Sequence, residues 1–306
     1  MNPIVMNPTV SIITITQYGR FESFKILFNM IQSQTYQNIT QWTIIEGSKT
    51  IVDSEKNMEL ICDFIKNKFN TSITSITIIP FPTKPIGELR NYGNNKCIGD
   101  IIVCMDDDDY YPPTRVSHTV EQLMHPSNPN YLISGSSVIY IYDFFLGKLY
   151  KYDSKGIFGP YHSTNNCMAF KREYLQNNQH DNTAINAEER SFTKNFTNEM
   201  VQLDPLQTII CISHSSNTFN KRNLCIGGSL GLFQYIKEIN EPITNYISPD
   251  IYNSMKNIYY KNASDGPFTL EYLLKTNNEN THFLEKYMKS DFELKCRIRN
   301  IIQNEI

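Results

Sequence analysis

The chain has 306 residues, 40% of them hydrophobic, and a net charge of −3, which allows one large domain, or a domain with an appendage, around a sizeable core. That balance, with no basic run, argues against a nucleic-acid or membrane-surface binder, and no apolar stretch approaches the ~20 residues of a membrane helix. The sequence does not open on a basic region followed by an apolar core, so no signal peptide is expected; seven scattered cysteines without a CxxC pair fit a reducing compartment, and the expected location is cytoplasmic.

Residues 9–16 (TVSIITIT) are apolar and β-rich and predict a first strand, broken at Tyr18-Gly19-Arg20. Residues 24–31 carry Phe24, Ile26, Leu27, Phe28, Met30 and Ile31 at helical spacing, and residues 34–38 read as a loop. Residues 41–45 (QWTII) predict a second strand, stopped by Glu46-Gly47-Ser48. Leu60, Ile61, Phe64, Ile65 and Phe69 form a helical stripe within residues 58–69, residues 75–79 predict a third strand ending at Pro80, residues 87–97 a helix and residues 100–105 a fourth strand. Four alternations of strand and helix predict an α/β domain with a largely parallel sheet flanked by helices. Ligands of such sheets sit at the carboxyl ends of the strands. Here those ends carry Thr16, Tyr18 and Arg20, then Glu46, then residues 80–84, and then four aspartates.

The fourth strand is the most informative stretch. Ile101-Ile102-Val103-Cys104-Met105 is too short and too β-branched for an ordinary helix and suits a strand buried on both faces. It runs directly into Asp106-Asp107-Asp108-Asp109, followed by Tyr110-Tyr111-Pro112-Pro113, where proline forces a turn. Four carboxylates at one strand end repel one another, and a cation would neutralise them. Hard carboxylate oxygens suit Mg2+ or Mn2+, metals that commonly hold a diphosphate.

Beyond Arg115 the reading is coarser. It predicts a helix over residues 116–124, strands over 131–142 and 148–153 as a hairpin across 144–147, a strand over 166–170 with a short helix through Leu175, and a short strand over 209–213. Residues 186–197 contain Glu188-Glu189 and Phe192. From Leu232 onward, including 270–274 and 283–302, the pattern reads mostly helical.

Taken together, several segments resemble family-2-type glycosyltransferases of the GT-A fold: VSIITITQYGR at residues 10–20, QSQTY at 32–36, WTIIEGS at 42–48, GELRNYG at 87–93 and CMDDDDYYPP at 104–113. The order and spacing agree across roughly the first 115 residues, and the aspartate cluster is the most specific segment. The resemblance implies a domain over residues 1–222, with a nucleotide-binding half (1–115) and an acceptor half (116–222); it thins after Arg115 and ends at about Asn223, and the residue pattern gives a helical extension over 223–306, packed on the domain. The resemblance also implies a nucleotide-sugar donor, a UDP-sugar, an acceptor that is a glycan, protein or small molecule, and an inverting mechanism. The opening segment departs from the family in having Ile15 for the usual proline and one extra residue, so Gln17 or Tyr18 takes the tyrosine's place. The family's acidic pair before Gly-Ser is reduced to Glu46, the acid that in the family hydrogen-bonds the base.

By position the family's Asp-any-Asp motif would place Asp106 at the ribose or a metal-bound water and Asp108 on the metal; a register shift would bring in Asp107 and Asp109 instead. Arg90 and Asn91 are candidates for phosphate or base contacts. Glu188-Glu189 resembles the family's acidic pair before an apolar residue. Glu189 takes the position of the general base, with Glu188 as the alternative. An inverting transfer needs such a carboxylate to remove the acceptor's proton. His214 resembles a histidine that some GT-A enzymes add as a metal or phosphate ligand, and His162 lies in what looks like an acceptor-side loop. A nucleotidyltransferase, or a non-catalytic nucleotide or sugar binder on the same fold, are the competing functions.

Overall fold

The computed structural model describes residues 7–68, 73–144, 146–214, 217, 221–225 and 235–259. A seven-stranded sheet is built first. Strands β1 (Val10–Thr16), β2 (Ile39–Glu46), β3 (Ser75–Pro80) and β4 (Ile101–Cys104) lie parallel in the order β3-β2-β1-β4. Helices α1 (Phe21–Gln32), α2 (Ile51–Lys66) and α3 (Ile86–Asn94) connect them. After α4 (Arg115–Met124) the sheet is completed by short strands, β8 (Ala169–Lys171) running antiparallel to β4, then β5 (Ile133–Gly135) and β9 (Val201–Gln202). The largely parallel sheet predicted from alternation is therefore present, with an antiparallel strand inserted beside β4.

The continuous apolar strands are the buried ones. Every residue of β1 and β4 is buried, as expected for central parallel strands covered by helices. β3 is the edge strand and is only half-buried, which is where Pro80 can be accommodated. Phe24, Leu27, Phe28 and Ile31 line one face of α1 and are all buried. Phe24 stacks on Trp42 of β2 at 5.3 Å. The indole Nε1 donates to the Thr14 hydroxyl (3.0 Å), which donates to the Met105 carbonyl (2.8 Å), so one hydrogen-bonded chain crosses three neighbouring strands. α2 begins earlier than its apolar stripe suggests, because Thr50 caps the backbone N–H of Asp53 and the first-turn residues Ile51 and Val52 face solvent.

A second sheet holds β6 (Val138–Asp143), β7 (Lys148–Asp153), β10 (Ile210–Ser213) and β11 (Ile236–Ile239) in the order β10-β6-β7-β11. The predicted hairpin is β6–β7. The single strand expected over residues 131–142 is two strands, β5 and β6, which belong to different sheets; Ser136 lies at the break, its hydroxyl donating to Val138 O. The strand expected over 166–170 starts later, at Ala169, after a 3-10 turn at Asn165–Cys167. Residues 236–239, read as helical, form β11, antiparallel to β7; helix α8 (Pro249–Tyr259) follows. The helical readings at 270–274 and 283–302 lie outside the described residues.

Fully buried Arg115 joins the two halves of the large sheet. Its guanidinium donates to the carbonyls of Cys104, Cys167 and Met168 and to the Thr119 hydroxyl. Burial lowers its pKa, and backbone carbonyls supply the acceptors that would otherwise be missing in the interior. The six described cysteines are free thiols. Among the described residues no helix is long and apolar enough to cross a membrane.

Candidate active site

The parallel strands end on one edge, and their registers fix what meets there. Thr16 is opposite Glu46, and Glu46 opposite Pro80; β4, on the other side of β1, delivers the aspartates. The four carboxylates then diverge. Asp106 receives both terminal nitrogens of Arg90, at 2.7 and 2.9 Å. Asp107 accepts from Arg20 at 2.9 Å, and its other oxygen is buried beside the Thr16 hydroxyl, without a well-formed hydrogen bond among the described residues. Asp108 lies 3.1 Å from the same Arg20 nitrogen, 3.0 Å from Asn217 Nδ2 and 3.4 Å from His214 Nε2. Asp109 accepts from the Ile212 backbone N–H, from Lys221 Nζ and from Asn166 Nδ2.

The cluster is thus compensated by Arg20, Arg90 and Lys221, and its mutual repulsion does not by itself require a metal. Burial lifts the Asp107 carboxyl to about 7 against the pull of Arg20, with Asp108 adding to the rise. Burial would lift Asp108 as well, but Arg20, Lys221 and His214 outweigh it and hold it well below the ordinary carboxylate range. Of two neighbouring acids sharing one guanidinium, Asp108 keeps its charge. Asp109 is a structural acid: three donors from β10, α7 (Lys221–Cys225) and the turn before β8 consume it.

Among the described residues no three His, Cys, Asp or Glu side chains are grouped as a ready metal site. The donors that fit a divalent cation are Asp108 and His214, with the buried Oδ2 of Asp107 nearby. Burial depresses the His214 pKa, which favours the neutral imidazole that ligates metals. Magnesium-like ions commonly take one or two protein carboxylates and fill their remaining positions with water and substrate phosphate. Asp106, expected beside Asp108, instead spends both oxygens on Arg90.

Arg90 also reaches Glu188 at 3.3 Å through Nε. Gly87 at the start of α3 makes this approach possible, since a Cβ there would lie 1.9 Å from the Asp181 carbonyl oxygen. Asn91 spends its side chain on the same loop, donating to His180 O and Asn182 and accepting from His180 N–H. The neighbouring Ala187 adopts a left-handed φ of 49°, a conformation that costs an L-residue ~1–2 kcal/mol and turns the chain into α6 (Glu189–Phe192). Glu189 is half-buried; its own backbone N–H is turned toward its carboxylate, and no other described residue hydrogen-bonds it. Burial, then the adjacent Glu188, pushes it up to about 7.

At the β2 end, Glu46 is fully buried; one oxygen accepts from the Ser48 hydroxyl and backbone N–H and from Asn57, and the other has no partner. The Thr16 hydroxyl is likewise buried, beside the Asp107 carboxylate. Tyr18, 45% exposed, is tied to this corner by its backbone N–H on Ser48 Oγ at 2.7 Å. His162 lies elsewhere, bonded to Ser154 Oγ, stacked on Phe158 and edge-on to Phe196. Burial lowers its pKa to about 4, as for a packed, neutral histidine. Lys221, Asn217 and Tyr259 were not legible as site residues. Each is a lone side chain in a stretch without a motif, and only the tertiary fold brings it to the cluster.

A largely parallel α/β sheet with carboxylates gathered where β4 ends is the arrangement expected of the GT-A fold. The sequence profile of glycosyl transferase family 2 matches residues 15–187, more than half of the chain, and the chain belongs to that family. No curated protein matches it. Among solved structures, a mannosyltransferase from Pyrobaculum calidifontis in complex with GDP-Man and Mn2+ shares the fold, with a TM-score of 0.52 and 13% identity over 93% of this chain and 83% of its own. Residues 1-349 of TarS from S. aureus give a TM-score of 0.47 and 12% identity over 92% and 80% of the two chains. Glucosyl-3-phosphoglycerate synthase from Mycobacterium tuberculosis, with Mn2+, UDP and glucosyl-3-phosphoglycerate, gives 0.41 and 14% over 67% and 69%.

Proposed function

We propose that this glycosyltransferase moves a sugar from a UDP-sugar to a hydroxyl of a glycan, protein or small-molecule acceptor, with inversion at the anomeric carbon and with Mn2+ or Mg2+ at Asp108 and His214, in the cytoplasm. The observation that carries the reading is the contrast between the two adjacent glutamates. Glu188 is held by Arg90, whereas no side chain among the described residues hydrogen-bonds Glu189, and burial pushes its carboxyl up to about 7, where a general base works best. Glu189 takes the acceptor's proton as the acceptor oxygen bonds to the anomeric carbon from the face opposite the diphosphate. The bond from that carbon to the phosphate oxygen breaks, and its electron pair leaves with the nucleoside diphosphate. A bound divalent cation would offset the charge of that leaving group.

The remaining residues serve binding. The unpartnered oxygen of Glu46 suits the N3–H of uracil, and the exposed Tyr18 ring offers a flat face for the base. Arg20, between Asp107 and Asp108, is the cation best situated to follow the diphosphate. Incubating the protein with a panel of nucleotide sugars in Mn2+ and following nucleotide release tests the proposal: slow hydrolysis of one donor without acceptor is expected. Release of pyrophosphate from nucleoside triphosphates would make the protein a nucleotidyltransferase, and a shifted melting temperature without turnover would make it a binder. A product that keeps the donor's anomeric configuration, read from its NMR coupling, would overturn the inverting mechanism.

A further inference from the structure

The acidic cluster has a neighbour from the far end of the described chain. Tyr259, the last residue of α8, is buried, and its ring stacks on the His214 imidazole with centroids 4.1 Å apart and planes 15° apart. Its hydroxyl lies 2.9 Å from the buried Ser23 Oγ on α1, so the ring is anchored at its outer end. His214 is held in turn by Asn217, whose side chain reaches both the imidazole Nε2 at 2.8 Å and Asp108 at 3.0 Å.

We infer that Tyr259 is a positioning residue: it sets the plane of the His214 ring so that Nε2, bridged to Asp108 by Asn217 Nδ2 in this structure, stays within 3.4 Å of Asp108 Oδ2, and a cation displacing the Asn217 amide would meet both groups. This rests on the reading of Asp108 and His214 as the metal donors. An imidazole can rotate about its χ torsions, and a ligand is useful only when its lone pair is aimed. Asn217 constrains the edge of the ring, whereas Tyr259 constrains its face. Neither Ser23 nor Tyr259 belongs to a metal-binding motif, and Tyr259 lies well beyond residues 15–187 matched by the family. The cation affinity of the cluster therefore depends on α8.

The test measures Mn2+ binding to the full chain in saturating UDP, from the electron paramagnetic resonance signal of free Mn2+, with UDP binding in EDTA as control. Tyr259→Phe keeps the stack and loses the hydroxyl; its Mn2+ affinity is expected within about twofold of wild type. Tyr259→Leu removes the flat face and is expected to weaken Mn2+ binding by ~10-fold, the low end for residues that orient a metal ligand, with UDP binding in EDTA unchanged. Tyr259→Met, which fills similar space without a ring, takes its place if the leucine variant does not fold. His214→Ala separates the two layers of argument. If it leaves Mn2+ affinity unchanged, the assignment of His214 as a donor fails. If it weakens binding while the folded leucine or methionine variant binds like wild type, the role of Tyr259 alone is overturned. A phenylalanine variant as weak as the leucine one would also overturn it, since the stack would then not be the operative contact.

Discussion

Glu188 lends a carboxylate oxygen to Arg90, whereas among the described residues Glu189 makes no such hydrogen bond, and the proposed general base rests on that difference. Glu189→Gln should retain donor binding and lose transfer by ~10²-fold or more, measured as kcat with saturating donor and acceptor. The wild-type rate should rise with pH along a limb near 7, the value to which burial and Glu188 raise the acid. The same shift fixes a stability effect. A carboxyl raised from 4.5 to about 7 by folding disfavours the fold once it ionises, so its cost is absent below about pH 4.5 and full above about pH 7. Glu189→Gln should therefore be more stable than wild type at pH 8, by on the order of 1–3 kcal/mol, with the gap closing as pH falls to 4.5 in urea melts. Asp108→Ala should abolish the Mn2+-dependent increase in melting temperature caused by UDP; an unchanged increase would remove Asp108 from the metal. Glu46 should favour UDP over CDP, because cytosine brings no N3–H to its buried, unpartnered oxygen; leaving such an acid unsatisfied costs ~1–3 kcal/mol, a preference of about 5- to 150-fold. Glu46→Gln should narrow that gap in calorimetric titrations, since an amide also donates, and equal wild-type affinities would separate Glu46 from the base.

Among the elements, those with an unambiguous local pattern were legible and those defined by partners were not. β1 and β4 are unbroken apolar runs, and α1 places Phe24, Leu27, Phe28 and Ile31 on one face. By contrast, the break between β5 and β6 is marked only by Gly135, the last residue of β5, and by Ser136 and Ser137, a weak turn signal inside an apolar run, so the sequence predicts one strand where two sheets meet. β11 places Lys237 and Glu238 between Ile236 and Ile239, an i, i+3 spacing that suits a helix better than a strand. The acidic turn was legible as a site, but its counter-charges were not, since Arg20, Arg90 and Lys221 come from three separate segments. Asp109 shows what that hides. It was read as a possible ligand, yet it fastens α7 and β10 to the end of β4. Asp109→Asn should leave partly buried Lys221 with Asp108 as its remaining counter-charge and cost ~1–3 kcal/mol, measured by urea unfolding; a loss well below ~1 kcal/mol would mean that Asp108 replaces Asp109 as the partner of Lys221.

At the scale of the molecule, the Trp42–Thr14–Met105 chain binds three strands of the large sheet through polar groups inside the core. Thr14→Val leaves the indole N–H and the Met105 carbonyl unsatisfied and should destabilise the fold by ~1–3 kcal/mol. Trp42 is the only tryptophan in the chain and is fully buried, so its emission should be blue-shifted in the native protein and should shift to the red in the same transition that far-ultraviolet circular dichroism follows. The arrangement of charge around the aspartates also limits modularity. The aspartates lie inside residues 15–187 matched by the family, whereas Lys221, which neutralises Asp109, and His214 and Asn217, which hold Asp108, follow that span. A chimera that grafted residues 1–187 onto the later half of another family member would inherit the four acids without these partners, leaving buried negative charge uncompensated. Donor specificity should therefore be transplanted between relatives only together with the segment carrying residues 210–225, as one inseparable cassette.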